Sequence, residues 1–366
     1  MPEDEISDAT RARPARVGYN VRGRPNRRGG PAMRRRMWLL GLRVGVYCAT
    51  AAALGCILLS RTTPTSRGRR ILPATGPGNA GGELVSHRDD DAERVMRAAR
   101  KLLPFARKLE PPGPNDWLAQ HEEPGQTFDD YLDSGPLVPR GERSVIYIRP
   151  LGDFTETQRR ILDLTADFMR RYFSRPVRMM DAVPLSAIPA RARRVHPAWG
   201  DRQVLTTYVL YDVLLPELPS DAAACIALTA SDLWPGPGWN FVFGQASLRE
   251  RVGVWSIYRN GDPDESEEAF RLCLLRTLKT ATHETGHMFS MLHCTLYECN
   301  MCGSNHREES DRRPITLCPE CVAKVAWATG ADLPERYRSL EEFARANGLA
   351  EEAEAYRLRG EAVAAE

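Results

Sequence analysis

The spacing of apolar positions divides this chain into short strands and longer helices. Residues 145–148 (Val-Ile-Tyr-Ile) form a β-rich run and predict a strand. Residues 156–173 carry Ile161, Leu162, Leu164, Phe168 and Met169 at helical spacing, and 177–179 predict a second strand. A helix is then expected over 203–214, with further strands over 224–228, 241–245 and 252–257. Residues 266–291 predict a long helix that buries Phe270, Leu274, Leu278 and Met288, and its acidic start, Asp264, Glu265, Glu267 and Glu268, complements the helix dipole. Strands alternating with helices imply an α/β domain with a mixed sheet. Residues 333–366 predict two short amphipathic helices broken at Asn347-Gly348, with Tyr337, Leu340, Phe343, Leu349 and Tyr356 packing on the domain before them. Upstream, helical periodicity over 92–109 is stopped by Pro111-Pro112-Gly113-Pro114.

The first ninety residues have a different character. Residues 1–36 hold ten arginines against four acidic residues, with many Gly and Pro, and predict a basic disordered tail. Residues 37–60 are apolar apart from Arg43, long enough to span a bilayer as a transmembrane or signal-anchor segment, and Arg34, Arg35 and Arg36 stand directly before them. The positive-inside rule then places the rest of the chain outside the cytoplasm, as a single-pass membrane protein. A cleaved signal peptide starting at Met33 or Met37, or a soluble cytoplasmic protein with a mis-set start, is the alternative. Residues 61–90 read as a linker, 91–330 as the main folded domain and 331–366 as C-terminal helices. Net charge is only +2 but unevenly spread: the basic tail suits nucleic acid or anionic lipid, and the apolar segment after it favours lipid, so no nucleic-acid partner is expected; the sequence leaves the oligomeric state open.

Chemistry concentrates at His283-Glu284-Thr285-Gly286-His287, followed by His293. On a helix His283 and His287 share a face, so both reach one metal ion, and Glu284 falls beside its open side. There a carboxylate can take a proton from a zinc-activated water and pass it to a leaving group. His293 lies too far along to reach the same ion from a continuous helix, so the chain must turn after about Ser290. Cys294, Cys299, Cys318 and Cys321 follow with C-x4-C and C-x2-C spacing. Such pairs fit a closed four-cysteine zinc site or, in an oxidising compartment, two disulfides; their place directly after a metal motif favours zinc. Met301 suits an apolar floor beneath the catalytic metal, and Cys302 reads as a bystander thiol.

The run from His283 to Cys321 resembles the archaemetzincins, a metzincin-clan family of zinc metallopeptidases. The likeness extends over most of residues 116–327, including Asp116-Trp117-Leu118, Gly125-Gln126-Thr127-Phe128, the stretch 238–247 and Gly303-Ser304-Asn305-His306. The resemblance implies a metzincin-like zincin domain with a zinc-binding active-site helix. It further implies two Zn(2+) ions: a catalytic one on His283, His287 and His293, and a structural one on the four cysteines. Glu284 would be the general base, Met301 the turn methionine, and the substrate a peptide or protein. One departure stands at Ser290, where the family pattern has glycine; a left-handed backbone there costs serine about 1 kcal/mol. An exposed sheet edge within 239–256 would align an extended peptide over the zinc. The alternative function is a non-catalytic, zinc-stabilised peptide-binding module.

Overall fold

The computed structural model describes the backbone of residues 80–365 and side chains from residue 90. The expectations for 1–36, 37–60 and most of 61–90 fall outside the described residues. Within them, helix α1 (Ala80–Arg100) starts earlier than the periodicity suggested and ends sooner, followed by a single tight turn at Leu103–Phe105. Pro104 accounts for the early stop, since it has no N–H to offer the Arg100 carbonyl four residues back. Short helices α2 (Trp117–Gln120) and α3 (Phe128–Asp133) lead into strand β1 (Val145–Leu151), helix α4 (Glu156–Phe173) and strand β2 (Val177–Met179). Next come β3 (Arg193–Val195), β4 (Arg202–Leu205), α5 (Thr206–Tyr208), β5 (Ala222–Thr229), β6 (Asp232–Trp234), β7 (Gly244–Ala246) and β8 (Val252–Ser256). The long helix α6 (Glu267–Met288) is followed by α7 (Arg307–Arg312), α8 (Pro319–Thr329), α9 (Leu333–Ala346) and α10 (Ala350–Ala364).

The main sheet has the order β2-β1-β5-β8-β7, parallel throughout except for β7, which runs antiparallel to β8 at the edge. A smaller sheet, β3-β4-β6, stands beside it. Central strand β5 is buried at every position, as expected of a parallel strand covered on both faces. Its alternation sorts the two cores. Ala224, Ile226 and Leu228 face the core built by α4, α6 and the C-terminal helices, whereas Cys225 and Ala227 face a second core with Val204, Val209 and Leu210. The helix expected over 203–214 is corrected: residues 202–205 pair as β4, and only then does the chain coil, through α5 and a π-helical turn, Val209–Leu214. Gln203 is drawn into the sheet because its buried amide bonds Asp232 and the Asn240 carbonyl.

The membrane-spanning localisation is also corrected. Among the described residues no helix is long and apolar enough to cross a membrane. The two long ones, α1 and α6, both carry several charged residues. Residues 37–60, on which that reading rested, lie outside the described residues.

Helix α6 owes its start to Ser266, whose side chain accepts from Ala269 N, and to Glu267 and Glu268 in the first turn. It is buried almost all round. Thr277, Thr282 and Thr285 are tolerated there because each hydroxyl donates to the carbonyl four residues back. At the far end, α9 and α10 insert Tyr337, Leu340, Phe343, Leu349 and Tyr356 into the main core, with Phe343 5.0 Å from Phe168 between ring centroids.

Candidate metal centre

The last turn of α6 presents His283 and His287, whose Nε2 atoms stand 3.0 Å apart. Ligands about 2.0–2.1 Å from a tetrahedral zinc would lie roughly 3.3 Å from one another, so the pair is spaced for one ion. Each imidazole spends its other nitrogen on an acceptor. His283 Nδ1 meets the Asn300 carbonyl at 2.8 Å, and His287 Nδ1 meets the Met291 carbonyl at 2.7 Å. Both acceptors are carbonyl oxygens, so Nδ1 carries the proton and Nε2 keeps its lone pair. Burial, with His293 adding to it, pushes His283 down to about 4; His287 falls well below the usual range through burial and its two histidine neighbours. Both are held neutral, the form that binds metal.

The third imidazole arrives through a turn. After Met288 the chain caps back, with Met291 N donating to the Gly286 carbonyl, and Ser290 takes φ 65°. His293 then joins the pair, and one ring nitrogen from each of the three lies within 4.8 Å of the others. Its Nδ1 faces the Glu123 carboxylate at 2.9 and 3.0 Å, leaving Nε2 for metal. Burial works to raise Glu123, but the His293 hydrogen bond and charge outweigh it and hold the carboxyl below the usual range. Trp117 packs edge-on against His293, with ring centroids 5.2 Å apart.

Serine at 290 is thus strained but not idle, since its Oγ accepts from Leu137 N at 3.0 Å. Ser290→Gly removes a left-handed penalty of about 1 kcal/mol, but loses a hydrogen bond of similar worth and gains chain entropy in the unfolded state. Stability should therefore change by no more than about 1 kcal/mol, with zinc content unaltered. Ser290→Val, which cannot take this φ cheaply, should lose about 2 kcal/mol in urea unfolding. A valine variant as stable as the parent would show that the turn is not left-handed in solution.

Glu284 points to the other side, against the sheet edge. A Cβ on Gly244 would lie 3.3 Å from Glu284 Cγ and 3.0 Å from Trp255 Cβ, so glycine there lets β7 approach the carboxylate. Burial pushes the Glu284 carboxyl up to about 7. Below the histidines, a Cβ on Gly286 would meet Met301 Sδ at 2.7 Å. The thioether therefore lies directly under α6, where the sequence placed an apolar floor.

The four cysteines converge as well. Their sulfurs lie within 4.8 Å of one another and all four residues are buried. Cys294 Sγ and Cys318 Sγ are 3.7 Å apart, far beyond a disulfide at about 2.05 Å and close to the roughly 3.75 Å between two sulfurs bound 2.3 Å from a tetrahedral zinc. Backbone amides support the set: Cys318 N donates to Cys299 Sγ, and Cys321 N donates to Cys318 Sγ. Cys318 is also the N-cap of α8. Cys302 stands outside the set, with its thiol on the Tyr297 carbonyl at 3.2 Å.

Asp116, His306 and Glu309 form a third cluster, but its carboxylates are already spent. Asp116 accepts from Arg312, and Glu309 accepts from Trp117 N and Asn305 N. This network fixes Trp117 against the third histidine. Sequence reasoning missed Glu123 and the Asn300 carbonyl. Nothing in the local pattern marks Glu123, and Asn300 acts through its backbone.

Residues 221–326 match the model of peptidase family M54. The chain is 34% identical over 258 residues to archaemetzincin-2 of Macaca fascicularis, covering 62% of this chain and 71% of that protein. It is 33% identical over the same length to the human archaemetzincin-2, with the same coverage. Among solved structures, archaemetzincin from Methanopyrus kandleri aligns with a TM-score of 0.41 and 28% identity, over 53% of this chain and 99% of that one. The family model and the archaemetzincin-2 relatives make this chain a zinc metallopeptidase, with peptide or protein substrates. The chain belongs to the archaemetzincin family.

Proposed function

We propose that the chain is a metzincin-like zincin that binds two zinc ions and hydrolyses peptide bonds with Glu284 as general base. The observation that carries this reading is the division of labour on one turn of α6. His283 and His287 offer metal-binding nitrogens, while Glu284, one residue on from His283, is turned to the sheet edge and makes no contribution to the three-nitrogen set. Zinc held by the three histidines would polarise the substrate carbonyl and make water a nucleophile near neutral pH. Glu284 takes the proton of the attacking water and returns it to the amine that leaves. A carboxyl near neutrality is suited to both transfers.

The substrate lies along β7. Phe243 O accepts from Ser256 N and Ser247 N donates to Val252 O, so residues 243 and 247 spend their backbone groups on β8. By alternation, Gly244 and Ala246 turn theirs away from β8; Gly244 is buried, and the partly exposed Ala246 is where an extended peptide would pair at the sheet edge. The four cysteines hold the second zinc, which ties the irregular stretch carrying Cys294 and Cys299 to α8.

Anomalous diffraction at the zinc edge should give two peaks per chain, one among the histidines and one among the cysteines. Cleavage of unstructured peptides in H2(18)O should place one 18O in each new carboxyl. A protein with both zincs bound that retains peptides without cutting them would be the binding module instead.

A further inference from the structure

We propose that Lys324 and Gln126 are positioning residues for the third zinc ligand, and that through them the four-cysteine site sets how tightly the three-histidine site holds its metal. This rests on the reading that both sites bind zinc. His283 and His287 are fixed by the helix that carries them, but His293 belongs to an irregular stretch and needs another support. Gln126 supplies it. Its side-chain Nε2 donates to the Ser290 carbonyl at 3.3 Å, and its Oε1 accepts from Leu292 N at 3.0 Å, so one amide holds both ends of the turn that delivers His293.

Gln126 is itself outside any helix or strand, just ahead of the α3 cap at Thr127. It is held from α8. Lys324, 0% exposed, donates its Nζ to the Gln126 main-chain oxygen and, at 3.2 Å, to Gln126 Oε1. Burying an ammonium is costly unless its donors are used, and both of these oxygens belong to Gln126. A second tie runs alongside, from Phe128 N to Glu320 Oε2 at 2.6 Å. Helix α8 carries Cys318 as its cap and Cys321 in its first turn, so a metal among the cysteines fixes the helix from which Lys324 and Glu320 reach.

The backbone adds two direct links. Cys294 follows His293, and Cys299 precedes Asn300, whose carbonyl orients His283. Each of these two thiolates is therefore one residue from a group that sets a catalytic histidine. Coupling between sites is reciprocal, so metal at the histidines should also tighten the cysteine site.

The test uses the full chain with cobalt as the probe metal, because thiolate and imidazole sites differ in absorbance and each can be titrated against a chelator. Lys324→Met and Gln126→Leu should weaken the histidine site by roughly 10–100-fold, the usual loss when a group orienting a ligand is removed. The cysteine site in the same proteins should change much less. Gln126→Glu, which keeps the acceptor for Leu292 N and Lys324 but sets an oxygen against the Ser290 carbonyl, should recover only part of the loss. Cys318→Ser should weaken the histidine site at least as much as Lys324→Met. If Lys324→Met fails to fold, the two Gln126 variants decide. Variants that lower thermal stability but leave histidine-site affinity unchanged would overturn the proposal and make Lys324 an ordinary buried cation. A parent protein that binds cobalt only at the cysteines would instead refute the two-site reading on which it rests.

Discussion

Glu284→Gln should keep its zinc and lose roughly 10²-fold or more of its peptide hydrolysis, the scale on which a general base contributes. Glutamine preserves the shape of the side chain, which matters because Glu284 Cγ packs against the backbone at Gly244. It removes only the capacity to accept and return a proton. The three histidines are untouched, and their Nδ1 partners, Asn300, Met291 and Glu123, do not involve residue 284. Zinc content by elemental analysis and kcat against a peptide mixture, measured on the same preparation, separate the two roles. Zinc lost along with activity would make Glu284 a ligand; unchanged activity would assign the proton transfer to another group.

Replacing Cys318 and Cys321 together with serine should remove one zinc ion per chain and cost on the order of 5 kcal/mol or more. Zinc bound by four thiolates supplies apparent folding free energy of about 10–16 kcal/mol in small peptides, comparable to the whole stability of an average domain. The neighbourhood, residues 289–306, has no helix or strand of its own to hold it. The segment is attached by Cys294, Cys299 and scattered backbone contacts such as Leu109 N to Leu296 O, Glu298 N to Arg107 O and Asn300 N to Thr316 O. Thermal unfolding followed by near-ultraviolet circular dichroism, in zinc sufficient to fill the histidine site, should show the loss. Equal metal content and equal melting in the double variant would exclude a zinc site at these cysteines.

What could be read from the chain follows from the range of the forces involved. His283, Glu284 and His287 were legible because one helical turn brings them together, and the four cysteines because paired thiols at short spacing have few other uses. Strands β1, β5 and β8 showed as apolar runs; β4 did not, because its pairing depends on Gln203 reaching Asp232, 29 residues away. The supports of His293 were invisible for the same reason. Glu123 is 170 residues from His293, and Lys324 is 198 from Gln126. A carboxylate or ammonium gives no local hint of so distant a partner. The turn at Ser290 was anticipated from the reach of the helix alone, and φ 65° is the backbone's answer to that demand.

The free edge of β7 carries a liability as well as a use. Under the proposed reading β7 would receive an extended peptide, and backbone groups able to do so also accept a strand from a second copy of a chain, which is how sheets grow into aggregates. Here the edge is only three residues long, opens with Gly244, and is followed by the charged Arg249 and Glu250. A strand that short can register a single peptide while offering too few hydrogen bonds to nucleate a stack. Lengthening it, or filling its glycine with a β-branched residue, would crowd Glu284 and raise the tendency to self-associate in the same step. The brevity of β7 is therefore a solubility device as much as a feature of the cleft.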